Sequence, residues 1–180
     1  TDLLQIADYQ VLPSIHQEAL CQEILAEVKA GKFAPVGLNN LKHWDRVWQE
    51  DGGITPPFIK PAKVLRVTSE FVLPLNPHLE LIWYQAFRAR VLERYFAGVS
   101  AIYEFGCGNG WNLRAARLRY PNMLLVGLDV AHSAVEGVKS RYGGDGWQLQ
   151  AYHFNFLQPN DRLTLPRGAG VWTVGALEQI

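Results

Sequence analysis

Cysteine is scarce in this chain: Cys21 and Cys107 are the only two in 180 residues. Two thiols make no disulfide scaffold, and no metal-ligand spacing ties them to the histidines, so neither a stapled secreted domain nor a metal site is expected. A reducing, cytoplasmic setting is the simpler expectation. Net charge is missing too, with seventeen Lys and Arg against seventeen Asp and Glu. A balanced chain has no electrostatic reason to seek a polyanion or an acidic membrane. No stretch of about eighteen residues is free of charge, and Thr1 opens no signal peptide, which makes a soluble protein the expectation. Internal repeats and low-complexity tracts are absent. What is present is an ordinary globular composition, 48% apolar and 19% charged, in a length that suits one domain. A chain of this size buries roughly 70% of its unfolded surface and needs no staples.

The text changes near residue 98. Before it, Ser14 is placed to cap a helix and Gln17 to close a capping box, with Ile15, Leu20, Ile24, Leu25 and Val28 at helical spacing and Gly31 as a stop. Cys21 falls on the buried side of that helix, as packing. From Phe33 to Pro77 six prolines punctuate an irregular stretch that reads as a lid or wrapping arm, in which Trp44 and Trp48 share one face of a short helix. Asn76 as cap and Pro77 at the first position open a second long helix, which Gly98 ends. Its wide apolar stripe, from Leu79 to Phe96, needs a sheet or several helices to cover it. Residues 1–98 are therefore expected to form a mainly helical extension.

After residue 98 strand and helix signals alternate. Ser100–Phe105 reads as a strand, Trp111–Tyr120 as a helix and Met123–Leu128 as a second strand, apolar enough to be buried on both faces. A helix over Ser133–Arg141 follows, with Glu136 completing a capping box, then strands at Gln148–Phe154 and Gly170–Val174. This order predicts an α/β, Rossmann-like parallel sheet with flanking helices and right-handed crossovers.

The informative run is Glu104-Phe105-Gly106-Cys107-Gly108-Asn109-Gly110, a strand end entering a glycine turn and then a helix. Glycine lets the backbone pass close beneath a ligand and adopt positive φ that a Cβ disfavours. The helix that follows aims unpaired N–H groups and a partial positive charge at whatever lies above the turn. Asp129 ends the next strand, nineteen residues past Gly110, where a carboxylate accepts hydrogen bonds from ribose hydroxyls. Together these residues describe a site for an adenosine-containing ligand. The spacing is G-x-G-x-G, with Trp111 where the dinucleotide fingerprint has its third glycine. An acidic residue two positions before the first glycine also suits a cationic ligand group better than a pyrophosphate. A nicotinamide-dependent oxidoreductase is the alternative within enzymes, and a non-catalytic cofactor-binding or interaction module the alternative outside them.

The same run resembles the first motif of class I S-adenosylmethionine-dependent methyltransferases, and Val126-Gly127-Leu128-Asp129-Val130 resembles their second. The resemblance covers residues from about 84 to 180. It implies that the loop of Phe105, Gly106, Cys107, Gly108 and Gly110 lies under the methionine part of S-adenosylmethionine. It also implies that Glu104 helps hold the amino group, that Asp129 binds ribose and that Val130 packs on adenine. His153-Phe154-Asn155-Phe156 is similar to the third motif and puts Asn155, with Phe156 beside it, where the family often has an Asp that meets the adenine amino group. Val174–Gln179, with Gly175, looks like the fourth motif, which ends a strand facing the methyl donor. If the second long helix packs as a lid, His78 and Tyr84 face the cofactor, and Tyr84 or Arg88 holds the methionine carboxylate.

The implied activity is methyl transfer to a small-molecule oxygen or nitrogen acceptor. Gly175-Ala176-Leu177-Glu178 lacks the Asn/Asp-Pro-Pro-aromatic pattern frequent in enzymes that methylate nucleobase or amide nitrogens, and zero net charge disfavours nucleic acid. For a hydroxyl acceptor, Glu178 and His78 are the candidate bases. The family sheet normally has seven strands, so four strand signals after residue 98 are expected to be a truncated core, its fourth strand offering an edge to a dimer partner or a completing chain. Cys107 is expected as a small loop residue rather than a nucleophile, His153 as a strand histidine, Trp111 as a contact of the loop, and Arg114/Arg117 and Arg88/Arg90 as solvated faces.

Overall fold

The structure, a computed structural model, describes residues 8–31, 38–50, 56, 59–144, 146–159 and 163–177. Its contacts define two compact units: Thr1–Pro35 with Phe58–Arg88, and Val36–Pro57 with Ala89–Ile180.

The first unit contains β1 (Tyr9–Val11), α1 (Ser14–Lys29), β2 (Leu65–Val67), β3 (Glu70–Pro74) and the first part of α3 (Leu79–Tyr95). Its antiparallel sheet, in the order β1-β3-β2, sets Val72 opposite both Val11 and Leu65. These strands were not expected from the sequence. The α1 helix forms where predicted and ends on Gly31 at φ +67°. Its capping box does not form: Gln17 instead donates to Leu12 O at 2.7 Å and accepts the Phe71 N–H at 3.2 Å, tying the helix to the hairpin. Cys21 is exposed, a correction to its expected burial, and no residue of α1 is buried. The start of α3 is capped as predicted, since Asn76 Oδ1 accepts the His78 N–H at 2.9 Å.

The second unit contains α2 (Leu38–Glu50), the rest of α3, β4 (Ala101–Phe105), α4 (Trp111–Arg119), β5 (Leu124–Asp129), α5 (His132–Tyr142), β6 (Gln150–His153) and β7 (Gly170–Thr173). All strand pairs are parallel, in the order β6-β5-β4-β7. This is the expected Rossmann-like α/β arrangement. Helical periodicity decides one face of the sheet. Leu92 from α3 and Phe96 just after it, Leu113 and Ala116 from α4, and Val135 and Val138 from α5 pack with Ile102, Leu125, Ala151 and Trp172. Fully burying a side chain such as Leu113 stabilises by about 1.5–3 kcal/mol. On the other face Ala101, Tyr103, Val126 and Leu128 are covered by Phe154, Leu163 and Ala169.

One expectation fails in this core. Arg117, predicted on a solvated face, is buried, with Nε donating to Trp147 O at 2.6 Å and Nη1 to Pro121 O at 2.6 Å and Met123 O at 2.8 Å. A guanidinium has five donors in a rigid fork, so it can tie together carbonyls that leave α4 and approach β6, with no carboxylate partner among the described residues. Burial lowers its pKa. Arg114 lies over the Trp147 ring at 5.5 Å.

Candidate functional site

The chain steps from β4 to β5 to β6 along one side of the sheet and then returns to β7 on the other side of β4. The switch point therefore falls between β4 and β7, and ligands of open α/β sheets bind outside the carboxyl ends of the strands at such a point. The glycine turn leaves β4 at that place. Gly106, Gly108 and Gly110 have φ of +73°, +49° and +76°. A Cβ on Gly106 would collide with Ala176, just past β7, where Gly175 also has positive φ, so the two strand ends meet only because residue 106 has no side chain.

Asp129 locks the turn. Its Oδ2 accepts the Gly108 N–H and its Oδ1 the Ala131 N–H, each at 2.8 Å. The side chain is 6% exposed, and burial raises its pKa against the pull of those N–H groups. The Val130 N–H acts on the same carboxylate, and the lone-pair capacity that remains can take a ligand hydroxyl. Glu104 is 1% exposed and accepts the Asn112 amide at 2.6 Å, so the first turn of α4 holds the acid that precedes the loop. Cys107 points beneath the loop into the core, in space that a Cβ on Gly127 would invade at 2.6 Å from its sulfur. Burial pushes its thiol pKa well up, and the charges of Asp129 and Glu104 push the same way, which disfavours the thiolate. Trp111 is buried, and its backbone N–H donates to Asn109 Oδ1 at 3.1 Å.

Beyond β5, half-buried Val130 follows Asp129, and the His153 ring stacks on His132 at 4.4 Å. Phe105, Phe154 and Phe156 form a ring cluster with centroids 5.0 to 5.3 Å apart. Asn155 Oδ1 accepts the Leu157 N–H at 2.9 Å, which turns the chain after β6. Glu178 lies outside the described residues. His78 and Tyr84 belong to the first unit, where the Arg88 guanidinium sits over the Tyr84 ring at 5.7 Å.

The site also contains residues that sequence reasoning missed: Asn112, Ala176, and Asp45 and Trp48 from α2. Trp44 and Trp48 do share a helical face and stack at 5.7 Å. A Cβ on Gly108 would lie 2.5 Å from Trp48 Cζ2, so the indole rests on the glycine turn. The capping box predicted for α5 does not form. Ser133 donates instead to Asp45, and Glu136 pairs with Lys139 at 3.0 Å. Only the Trp44/Trp48 spacing hinted at this surface.

No protein-family model and no curated protein matches the chain. Similar solved structures include the plantazolicin methyltransferase BpumL in complex with a monoazolic desmethylPZN analog and SAH, 15% identical, with 46% of this chain and 30% of that one covered and a TM-score of 0.34. Geranyl diphosphate C-methyltransferase from Streptomyces coelicolor A3(2), in complex with Mg2+, geranyl diphosphate and S-adenosyl-L-homocysteine, is 12% identical, with coverage of 78% and 55% and a TM-score of 0.48. The chain thus spans 30% and 55% of the length of these two proteins. Among the described residues, no helix is long and apolar enough to cross a membrane.

Proposed function

We propose that this chain binds S-adenosylmethionine at the carboxyl ends of β4, β5 and β7 and serves methyl transfer to a small-molecule oxygen or nitrogen acceptor. One observation carries the reading: three glycines of positive φ form a turn at the sheet's switch point, locked by a buried carboxylate at the end of the neighbouring strand. The fit to this cofactor is chemical as well as steric. Residues 104–112 carry Glu104 and no Lys or Arg, and Asp129 adds a second buried carboxylate, a setting that favours a cationic ligand over a pyrophosphate.

When bound, S-adenosylmethionine supplies a methyl group on a sulfonium, already activated toward a nucleophile. The protein's work is then binding, alignment and exclusion of water. Asp129 accepts the ribose hydroxyls through its remaining lone pairs, and Glu104 with Asn112 provides the acidic side for the amino group. Val130, Asn155 and Phe156 serve the adenine, while Gly175 leaves room at the end of β7. Glu178 is the candidate base for a hydroxyl acceptor. The outer edge of β7, with Val171 exposed, is proposed to pair with a second copy or a completing chain.

Thermal unfolding with ligands tests the cofactor. S-adenosylhomocysteine at about a hundred times its Kd stabilises by ~2.7 kcal/mol, or roughly 5–11 °C, and NADH is expected to leave the midpoint unmoved. A shift with NADH alone would overturn the reading in favour of the oxidoreductase.

A further inference from the structure

Helix α2 reaches this site from outside the sheet through Asp45 and Trp48. Asp45 Oδ1 accepts the Ser133 N–H at 2.9 Å and lies 2.7 Å from the Ser133 hydroxyl, which is also 2.7 Å from Asp45 O. These bonds place a carboxylate at the positive end of α5, where the peptide dipoles favour it. They also hold Asp45 in the charged form, with its pKa lowered by the two Ser133 bonds. Trp48 stands three residues on, on the same side of the helix, and rests on Gly108. Trp44 stacks behind it, and the Trp44 indole nitrogen is buried with no hydrogen-bond partner among the described residues.

We propose that Trp48 is a ligand-contacting residue of the cofactor site and Asp45 its positioning residue. The Asp45–Ser133 bonds latch α2 to the start of α5, the Trp48 indole walls the glycine turn beside Gly108, and release of the latch sets how fast S-adenosyl ligands pass in and out. The identity of the ligand rests on the function proposed above. The latch rests only on the contacts of Asp45 and Trp48.

The test uses the full chain labelled with 5-fluorotryptophan, the Trp48 resonance being assigned through Trp48→Phe. Asp45→Ala is expected to move that resonance toward the position of solvent-exposed indole before any ligand is added. It is also expected to raise the association and dissociation rate constants of S-adenosylhomocysteine about tenfold each, the loss of a charge-assisted bond discounted for its exposure. Asp45→Asn keeps an acceptor oxygen and should fall between the two. If Asp45→Ala does not fold, Ser133→Ala keeps the N–H and removes the hydroxyl, and a smaller shift in the same direction is expected. An unmoved Trp48 resonance, or unchanged rates in a protein that binds the ligand, overturns the proposal. Wild-type protein that binds no S-adenosylhomocysteine, while its Trp48 resonance still answers to Asp45, refutes the cofactor and upholds the latch.

Discussion

The contact between Gly106 and Ala176 allows the shape of the site to be tested without any ligand. Gly106→Ala adds a Cβ where φ is +73° and where Ala176 already stands. The left-handed backbone costs about 1–2 kcal/mol for a residue with a Cβ, and overpacking a tight contact costs about 1–3 kcal/mol more. The sum is about 2–5 kcal/mol, or roughly 5–15 °C in Tm for a chain of this length. The two parts can be separated. Ala176→Gly removes the obstructing methyl, so in the Gly106→Ala background it should recover the steric ~1–3 kcal/mol and leave the backbone cost in place. Urea unfolding of the wild type, both single variants and the double variant measures the coupling. A coupling below about 0.5 kcal/mol would refute the claim that the ends of β4 and β7 meet at Gly106.

Three further outcomes follow from the buried groups. Arg117→Ala should destabilise by about 3–4 kcal/mol, because several backbone carbonyls lose a charged donor at once, and Arg117→Lys should recover less than half; a loss below about 1 kcal/mol in chemical unfolding would contradict the hub. Folded protein should react with one equivalent of a thiol reagent near pH 8, at exposed Cys21, and unfolded protein with two; rapid labelling of Cys107 in the native state would contradict its raised pKa. The Asp129 pKa is raised above its ordinary 3.8, so this group's stabilising contribution is complete below about pH 4 and is lost as pH rises through the folded value. The stability of Asp129→Asn relative to wild type should therefore improve as pH rises from about 4, by at most ~1.4 kcal/mol per pH unit, and a flat difference would be evidence against it.

The sheet unit was legible because its signals are local. Short apolar strands, helices at regular spacing and a glycine run at a strand end each declare themselves within about ten residues, and β4, α4, β5 and β7 formed within two residues of their predicted bounds. What escaped depends on distant partners. The hairpin of β2 and β3 turns at Thr68, a non-glycine residue at φ +57°, so no Asn-Gly or Gly-Gly pair marked it. Ser133 fits a capping box with Glu136 on paper, but an aspartate 88 residues earlier takes its place. Arg117 reads as a surface cation because backbone carbonyls, its actual partners, leave no trace in a sequence. Helical spacing in α1 marked an apolar stripe, yet Ile15, Leu25 and Val28 are exposed, since periodicity reveals a face and not what covers it. In the candidate site, the glycines, Glu104 and Asp129 came from the motif, and their supports Asn112, Ala176, Asp45 and Trp48 came only from the fold.

Calorimetric titration of the wild type and Asp129→Ala with S-adenosylmethionine and S-adenosylhomocysteine tests the central claim most directly. Circular dichroism verifies that both proteins are folded. Micromolar binding by the wild type that is lost in Asp129→Ala is the expected result, since the variant removes the proposed ribose acceptor and the lock on the Gly108 N–H together. Folded wild-type protein that takes up neither ligand, or an Asp129→Ala variant that binds as tightly as wild type, would contradict the account.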